Sequence, residues 1–468
     1  MIFGFDKWMD HRAFLDDKGN CVTYEDLDSI SKELESVCEG RCLVACLCKN
    51  TIGSAVGYIS FLNAGIVPMM LSAGMEDKLR NALIGLYRPM FMWVPADQTE
   101  EFPGMTIAYR IYDYVLLRTE YSRKYQLHPD LALLLTTSGS TGSPKFVRQS
   151  YKNILSNTKS IVEYLKLDQD ERAITTLPMN YTYGLSIINT HLFTGATILM
   201  TEYSLMQKEF WNFFKEQEAT SFGGVPYTYE MLDRLRFYRM ELPSLKTITQ
   251  AGGKLSPRLH EKFALWAQEN NRSFVVMYGQ CEATARMGYL PAKMAVEKKG
   301  SMGIPIPGGI FLLLDDNDNE IKEPHTVGEL VYQGENVTMG YALCPEDLTK
   351  GDEWGGILKT GDMAEFDDDG YFYISGRKKR FLKIYGNRVN LDEIEQMLKE
   401  HFDFDLACGG IDDHLVIYVT KNEKNKEVLH YVTDMTKLNP AAYKVKYLEV
   451  IPKNDAGKVL YKELEKYD

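Results

Sequence analysis

Helical and extended patterns alternate along most of this chain, and that alternation limits the fold more than any other feature. Residues 24–37, YEDLDSISKELESV, and 257–270, PRLHEKFALWAQEN, place apolar residues at helical spacing, whereas 131–137, LALLLTT, and 273–279, SFVVMYG, are short apolar runs. Helices that recur between buried strands require layers, so the expected class is α/β with parallel sheet. No repeat at a fixed period is present, which removes solenoids and propellers. From about residue 300 the texture becomes short extended runs, GIFLLLDDNDNEI, GELVYQG and GYFYISG, separated by Gly, Asn and Asp. These predict a β-rich subdomain over about 300–379, completing a large N-terminal domain, 1–379, of layered α/β subdomains. The run 376–383, GRKKRFLK, then interrupts the pattern with five basic residues and leads into a compact segment of strand–helix–strand character. It predicts a linker into a small α+β C-terminal domain, 380–468, within which the lysine-rich KNEKNKE (421–427) is expected to be a solvated loop.

At 468 residues the chain is long enough for two to four folding units, on a prior of roughly 100–200 residues each. Its 53 basic and 65 acidic side chains leave a net charge of −12, the wrong sign for a phosphate-neutralising surface, so nucleic acid is not an expected partner. The eight cysteines are scattered without the paired spacing of a zinc site. Cys42, Cys46 and Cys48 fall in the apolar run RCLVACLCKN, which reads as a buried strand carrying reduced thiols. Charges interrupt MIFGFDKWMDHRAF at the N-terminus, and no window approaches the length of about eighteen apolar residues needed for a membrane span. A cytoplasmic location is expected.

The most informative run is Thr136 to Lys145, TTSGSTGSPK, which follows the strand pattern LALLL and precedes a helical pattern starting near Lys152. Two glycines allow tight turns that present amide N–H groups, hydroxyls add donors, and Lys145 adds positive charge, together a cradle for polyphosphate. The candidate cradle residues are Thr137, Ser138, Gly139, Ser140, Thr141 and Gly142. A Walker loop is excluded because Lys145 is followed by Phe146, and G-x-S-x-G is not matched either. Alone, such a string is also an ordinary flexible loop, so its meaning depends on the rest of the chain.

The run resembles the signature of the acyl-adenylate-forming, or AMP-binding, superfamily of acyl-CoA synthetases, luciferases and peptide-synthetase adenylation domains. Phe146 departs from it, where glycine is usual. Further segments are similar to the family's motifs in the family's order. Residues 278–284, YGQCEAT, resemble its Tyr-Gly-x-Thr-Glu motif. The resemblance implies that Tyr278 and Gly279 meet adenine, that Glu282 binds Mg²⁺, and that Cys281 stands where a threonine contacts the α-phosphate. Mg²⁺ on ATP oxygens takes only one or two carboxylates from protein, which suits a single Glu282, and a thiol is a weaker donor than a hydroxyl. The segment 251–254, AGGK, is similar to the Gly-Gly lining of the adenine and acyl pocket, giving Gly252 and Gly253, while 328–341, GELVYQGENVTMGY, matches a structural signature only.

Residues 359–389 match almost throughout, which implies Asp362 on the ribose hydroxyls, Arg377 on the nucleotide, a hinge at Arg380 and a thiol-tunnel position at Gly386. The ending IPKNDAGKVLYKEL (451–464) implies that Lys458 is catalytic and that the C-terminal domain is a mobile lid.

By resemblance the chain is an ATP- and Mg²⁺-dependent acid–thiol ligase that forms an acyl-AMP and passes the acyl group to coenzyme A or to the phosphopantetheine of an acyl carrier protein. Amino-acid-activating relatives place an aspartate early in the pocket motif, and LPMNYTYGLS (177–186) has no carboxylate. Tyr181, Tyr183 and Gly184 are therefore expected to line the pocket of an uncharged acid, although the tyrosines could equally pack the core. An amino-acid-activating ligase of D-alanine type, a degenerate nucleotide-binding protein and a luciferase-like oxygenase remain alternatives. The basic cluster Arg377 to Lys383 is a candidate for meeting the charge of the thiol partner.

Overall fold

The computed structural model describes residues 3–121, 126–136, 145–384, 387–436, 438–453 and 457–467. Among these, a nine-stranded and an eight-stranded sheet carry the first three hundred residues. The centre of the eight-stranded sheet is parallel, with Leu43–Cys48 between Val67–Ser72 and Phe91–Pro95, and Val67–Ser72 next to Leu131–Thr136. Every residue of Leu43–Cys48 is buried, as expected of a strand covered on both faces. The centre of the nine-stranded sheet is also parallel, ending in Thr247–Gln250 beside Ser273–Tyr278.

The helix Ile52–Asn63 lies between the sheets, packing on Leu43–Cys48, Val67–Ser72 and Phe91–Pro95 of one and on Arg12–Asp16 of the other. Its residues 52–62 are all buried, which explains why IGSAVGYISFLN lacks a polar face. The helices on the outside are amphipathic and capped. Thr23 and Asp26 form a reciprocal capping box on Tyr24–Cys38, as Ser150 and Asn153 do on Tyr151–Leu165. Pro257–Glu269 begins with proline at its first position and Ser256 as its cap.

Strands Ile310–Leu314, Glu320–Ile321, Gly328–Gln333, Ile357–Phe366 and Phe372–Arg377 form an antiparallel five-stranded sheet. The acidic turn between the first two is an ordinary hairpin in which Asp315 accepts from the backbone of Asn317 and Asn319. Beyond it come the hairpin Phe381–Ile384 with Asn387–Asn390, the helix Leu391–His401, and a three-stranded sheet of Leu406–Ile411, His414–Val419 and Tyr443–Tyr447. Their buried apolar residues, from Leu382 to Tyr443, form a cluster of their own.

Two expectations need correction. The glycine-rich run does not lead straight into a helix: Phe146–Ser150 first returns as a strand antiparallel to Leu131–Thr136. The buried residues FVRQS satisfy their backbone in the sheet before Ser150 caps the helix. The segment KNEKNKE is not one loop either, because a 3₁₀ turn at Asn422–Lys424 runs into the helix Asn425–Thr436. That helix buries Val428 and Val432, which lie beyond the polar stretch. Among the described residues no helix is long and apolar enough to cross a membrane.

Candidate active site

The strand Ser273–Tyr278 ends in a tight loop, and the loop's shape follows from its sequence. A Cβ at Gly279 would lie 1.7 Å from the Ala285 carbonyl oxygen, so only glycine lets the chain fold back on itself here. Within the loop a short 3₁₀ turn, Cys281–Ala283, carries Glu282, and Thr284 follows at φ 65°. A β-branched residue in that region costs about 1–3 kcal/mol and must be held in place. It is held by the neighbouring segment: Thr284 Oγ1 donates to the Asn336 carbonyl (2.7 Å), and Asn336 Nδ2 donates to the carbonyls of Ala283 and Arg286 (both 2.9 Å). The Thr338 amide donates to the Glu282 carbonyl (3.0 Å).

This segment ends at Tyr341, which joins the parts of the site. Its hydroxyl donates to Glu282 Oε1 (2.8 Å), and Lys145 Nζ stands 3.5 Å from the centre of its ring. Strand Tyr341–Ala342 pairs with Phe146–Ser150, the strand that begins just after Lys145. Arg148 fixes the pairing from below: fully buried, it donates to the carbonyls of Met339 (2.6 Å) and Tyr341 (3.0 Å) and meets the Glu353 carboxylate (2.5 Å). Residues 328–341 were expected to be structural only, yet their last residue touches both Glu282 and Lys145. Residues 137–144, with Thr137, Ser138, Gly139, Ser140, Thr141 and Gly142, lie outside the described residues, as does Gly386.

Lys458 reaches the same region from the C-terminal segment. Its Nζ lies 5.4 Å from the centre of the Tyr181 ring, and a Cβ at the preceding Gly457 would meet Tyr227 at 3.4 Å. Tyr181 in turn abuts Gly252, where φ is 84° and a Cβ would lie 2.6 Å from the tyrosine hydroxyl oxygen. Gly253 packs by Pro226. Burial pushes the Cys281 thiol up to about 12, with the Glu282 charge acting the same way and the Lys458 charge opposing.

Asp362 and Arg377 face each other across paired strands, and Arg377 Nε lies 2.6 Å from Asp362 Oδ1. The other carboxylate oxygen accepts from Tyr278 Oη and from Gln280 Nε2 (2.8 Å). Burial nevertheless holds the Asp362 carboxyl above the usual carboxylate range, against the pull of Arg377, Tyr278 and Gln280.

Three residues of the basic run, Arg377, Lys378 and Arg380, face carboxylates of this chain. Lys378 meets Glu329 (2.7 Å), and Arg380 meets Asp392 and Glu395 while lying 3.7 Å above the Tyr461 ring.

Tyr183 and Gly184 lie in the buried start of the helix Thr182–Thr194. Tyr183 Oη shares a hydrogen bond with Thr249 Oγ1 (2.7 Å), and its ring carries Arg286 at 3.9 Å. Sequence reasoning passed over Tyr341 and Arg286. The signal for the second was available: an arginine in the otherwise uncharged run ATARMGYL, four residues after Glu282.

The model of the family described as "AMP-binding enzyme" matches residues 5–342. The oxalate–CoA ligase of Arabidopsis thaliana is 30% identical over 352 residues, covering 71% of this chain and 66% of that protein. The oxalate–CoA ligase of Saccharomyces cerevisiae is 28% identical over 344 residues, covering 70% and 62%. The chain thus spans a little under two thirds of the length of these relatives. Among solved structures, o-succinylbenzoate CoA synthetase of Bacillus subtilis, in complex with its acyl-adenylate intermediate, superposes with a TM-score of 0.79 at 20% identity, covering 97% of this chain and 95% of that one.

Proposed function

This chain belongs to the family of AMP-binding enzymes, and on that premise we propose that it joins a carboxylic acid to a thiol in two steps, through an acyl-AMP formed from ATP. One observation carries the reading: Lys145, Glu282, Tyr341 and Lys458 come from four separated segments, and the polar and cationic groups they bring converge on the loop after Tyr278.

A carboxylate is a poor electrophile and repels a triphosphate, so the site has to neutralise charge while holding the reactants in line. Lys458 and Lys145 would do so, together with the cradle that the family resemblance assigns to residues 137–142. Tyr341 occupies one oxygen of Glu282 and aims the other. A cation bound at the single carboxylate of Glu282 would take its remaining oxygens from the nucleotide and water, which fits Mg²⁺. When bound there, Mg²⁺ would offset phosphate charge.

Gly252, Gly253, Tyr278 and Gly279 would form the adenine pocket, and Asp362 and Arg377 the ribose side. Cys281 would contribute only a neutral thiol donor, since burial keeps its proton on. Attack of the substrate carboxylate on the α-phosphorus expels pyrophosphate; a thiol then takes the acyl group and AMP leaves.

Residues 380–468 would act as a lid, delivering Lys458 for the first step and turning near Arg380 for the second, with Gly386 on the thiol-facing edge. The two apolar clusters of these residues, drawn from this segment alone, support a body that moves as one. The Arg380 side chain is bound to Asp392 and Glu395 within that body and would travel with it. Coenzyme A is the favoured thiol, after the CoA ligases among the relatives, with a carrier-protein arm as the alternative. The compartment favoured is the cytoplasm.

The test is acid-dependent ATP–pyrophosphate exchange over aliphatic acids, aryl acids and amino acids including D-alanine. Exchange with an acid lacking an ammonium group supports the reading. Exchange with amino acids alone replaces it by the amino-acid-activating ligase, and no exchange with any acid favours a degenerate nucleotide-binding protein.

A further inference from the structure

Arg286 is a charge that the chemistry above leaves without a task. It is 3% exposed, and among the described residues three arginines are buried to this degree. The other two hold carboxylates: Arg80 meets Glu101 (2.8 Å) and Asp77 (3.0 Å), and Arg148 meets Glu353 (2.5 Å). Arg286 meets none among the described residues. Its guanidinium lies on the Tyr183 ring, its Nε points to Met277 Sδ at 3.4 Å, one terminal nitrogen reaches the Ala285 carbonyl only at 3.5 Å, and the neutral Tyr164 hydroxyl is a further hydrogen-bond partner. A guanidinium has five N–H donors and keeps its proton, while a thioether is a weak acceptor and a ring face satisfies the charge only in part. Burying such a group is costly unless a partner arrives.

Its position identifies the partner. Lys458 stands over Tyr181 and Arg286 over Tyr183, and the two ring centres are 6.4 Å apart. One pair of tyrosines therefore carries a cation at each end. The Lys458 end is where the reacting carboxylate must lie. Beside Arg286, Tyr164 donates to the same Met277 sulfur (3.0 Å) and stacks on Tyr289 at 4.2 Å, which closes that end against a long tail. A fork of N–H donors in a dry, aromatic-walled end fits a planar carboxylate held by two bonds.

We propose that Arg286 binds a second carboxylate of the acid, so that the substrate is a short dicarboxylic acid activated at one end. This rests on the adenylation reading, and it replaces the expectation of an uncharged acid: the pocket segment 177–186 has no charge, but the neighbouring loop supplies one. Arg286 would be a specificity residue, acting on which acid is held and not on the bond that forms.

The experiment compares ATP–pyrophosphate exchange by the whole protein on short straight-chain dicarboxylic acids, their monomethyl esters, and monocarboxylic acids of the same length. At least one diacid is expected to exceed its own monoester in kcat/KM by roughly 10²-fold, the scale of a charge-assisted bidentate contact in a dry site. Arg286→Met should bring that ratio close to one, chiefly by raising KM for the diacid, and Arg286→Lys, which keeps the charge without the fork, should fall between. Should Arg286→Met fail to fold, the wild-type ratio and the lysine variant still decide. Exchange with monoacids and no preference for any diacid overturns the inference and leaves adenylation standing, as does a diacid preference that survives Arg286→Met. Exchange with no acid at all overturns adenylation and this inference together.

Discussion

Tyr341 shows how much of the site depends on a single phenol. Its hydroxyl holds Glu282 and its ring carries Lys145, so one side chain ties a carboxylate to a cation. Tyr341→Phe keeps the ring and deletes the donor. A hydrogen bond to a charged group contributes about 1.5–3 kcal/mol, so acid-dependent exchange should fall roughly 10- to 100-fold while the protein stays folded. Tyr341→Ala should fall further by losing the cation–π contact. Unchanged exchange in Tyr341→Phe would remove Glu282 from the proposed chemistry. The runs that carry Lys145, Glu282 and Lys458 stood out in the sequence because they resemble ordered family motifs, and the roles proposed for the three residues rest on that resemblance. Tyr341 was quoted without its role, because its contact with Glu282 crosses 59 positions and depends on a strand pairing that no local pattern displays.

At the scale of elements, periodicity found the helices Tyr24–Cys38 and Pro257–Glu269 to within a residue, and it found the strand Leu131–Thr136 that leads into the glycine-rich run. It missed the short strand Phe146–Ser150, since all five of its residues are buried and it lacks the alternation that a pattern needs. That strand matters because Tyr341–Ala342 pairs with it, and the chain just beyond Tyr341 is held by the small 3₁₀ element Pro345–Thr349. Asp347 anchors this element. Burial alone would raise its carboxyl, but Lys350 and the amides of Leu343 and Cys344 overcome that and bring it down to about 2. A folded-state value below the unfolded one adds stability above the unfolded pKa of about 4, and that stability is lost as pH falls towards 2. Asp347→Asn should therefore lower the melting temperature at neutral pH and flatten the acid limb of the melting temperature against pH. An acid limb identical to the wild type would show that this carboxylate does not anchor the element.

For the whole molecule, the central feature is Lys458 lying over the Tyr181 ring from a C-terminal segment that packs on Ala407, Val416 and Tyr418. If residues 380–468 serve the two steps in different positions, the lysine belongs to one step only, and the steps must separate on its removal. The decisive measurement is Lys458→Ala assayed on both half-reactions with an acid that the wild type accepts. Acyl-AMP formation from ATP is expected to fall by ~10²–10³-fold or more, the scale of losing one preorganised transition-state donor, while thioester formation from supplied acyl-AMP and coenzyme A persists. Equal loss of both half-reactions in a folded variant, or full adenylation without Lys458, would contradict it.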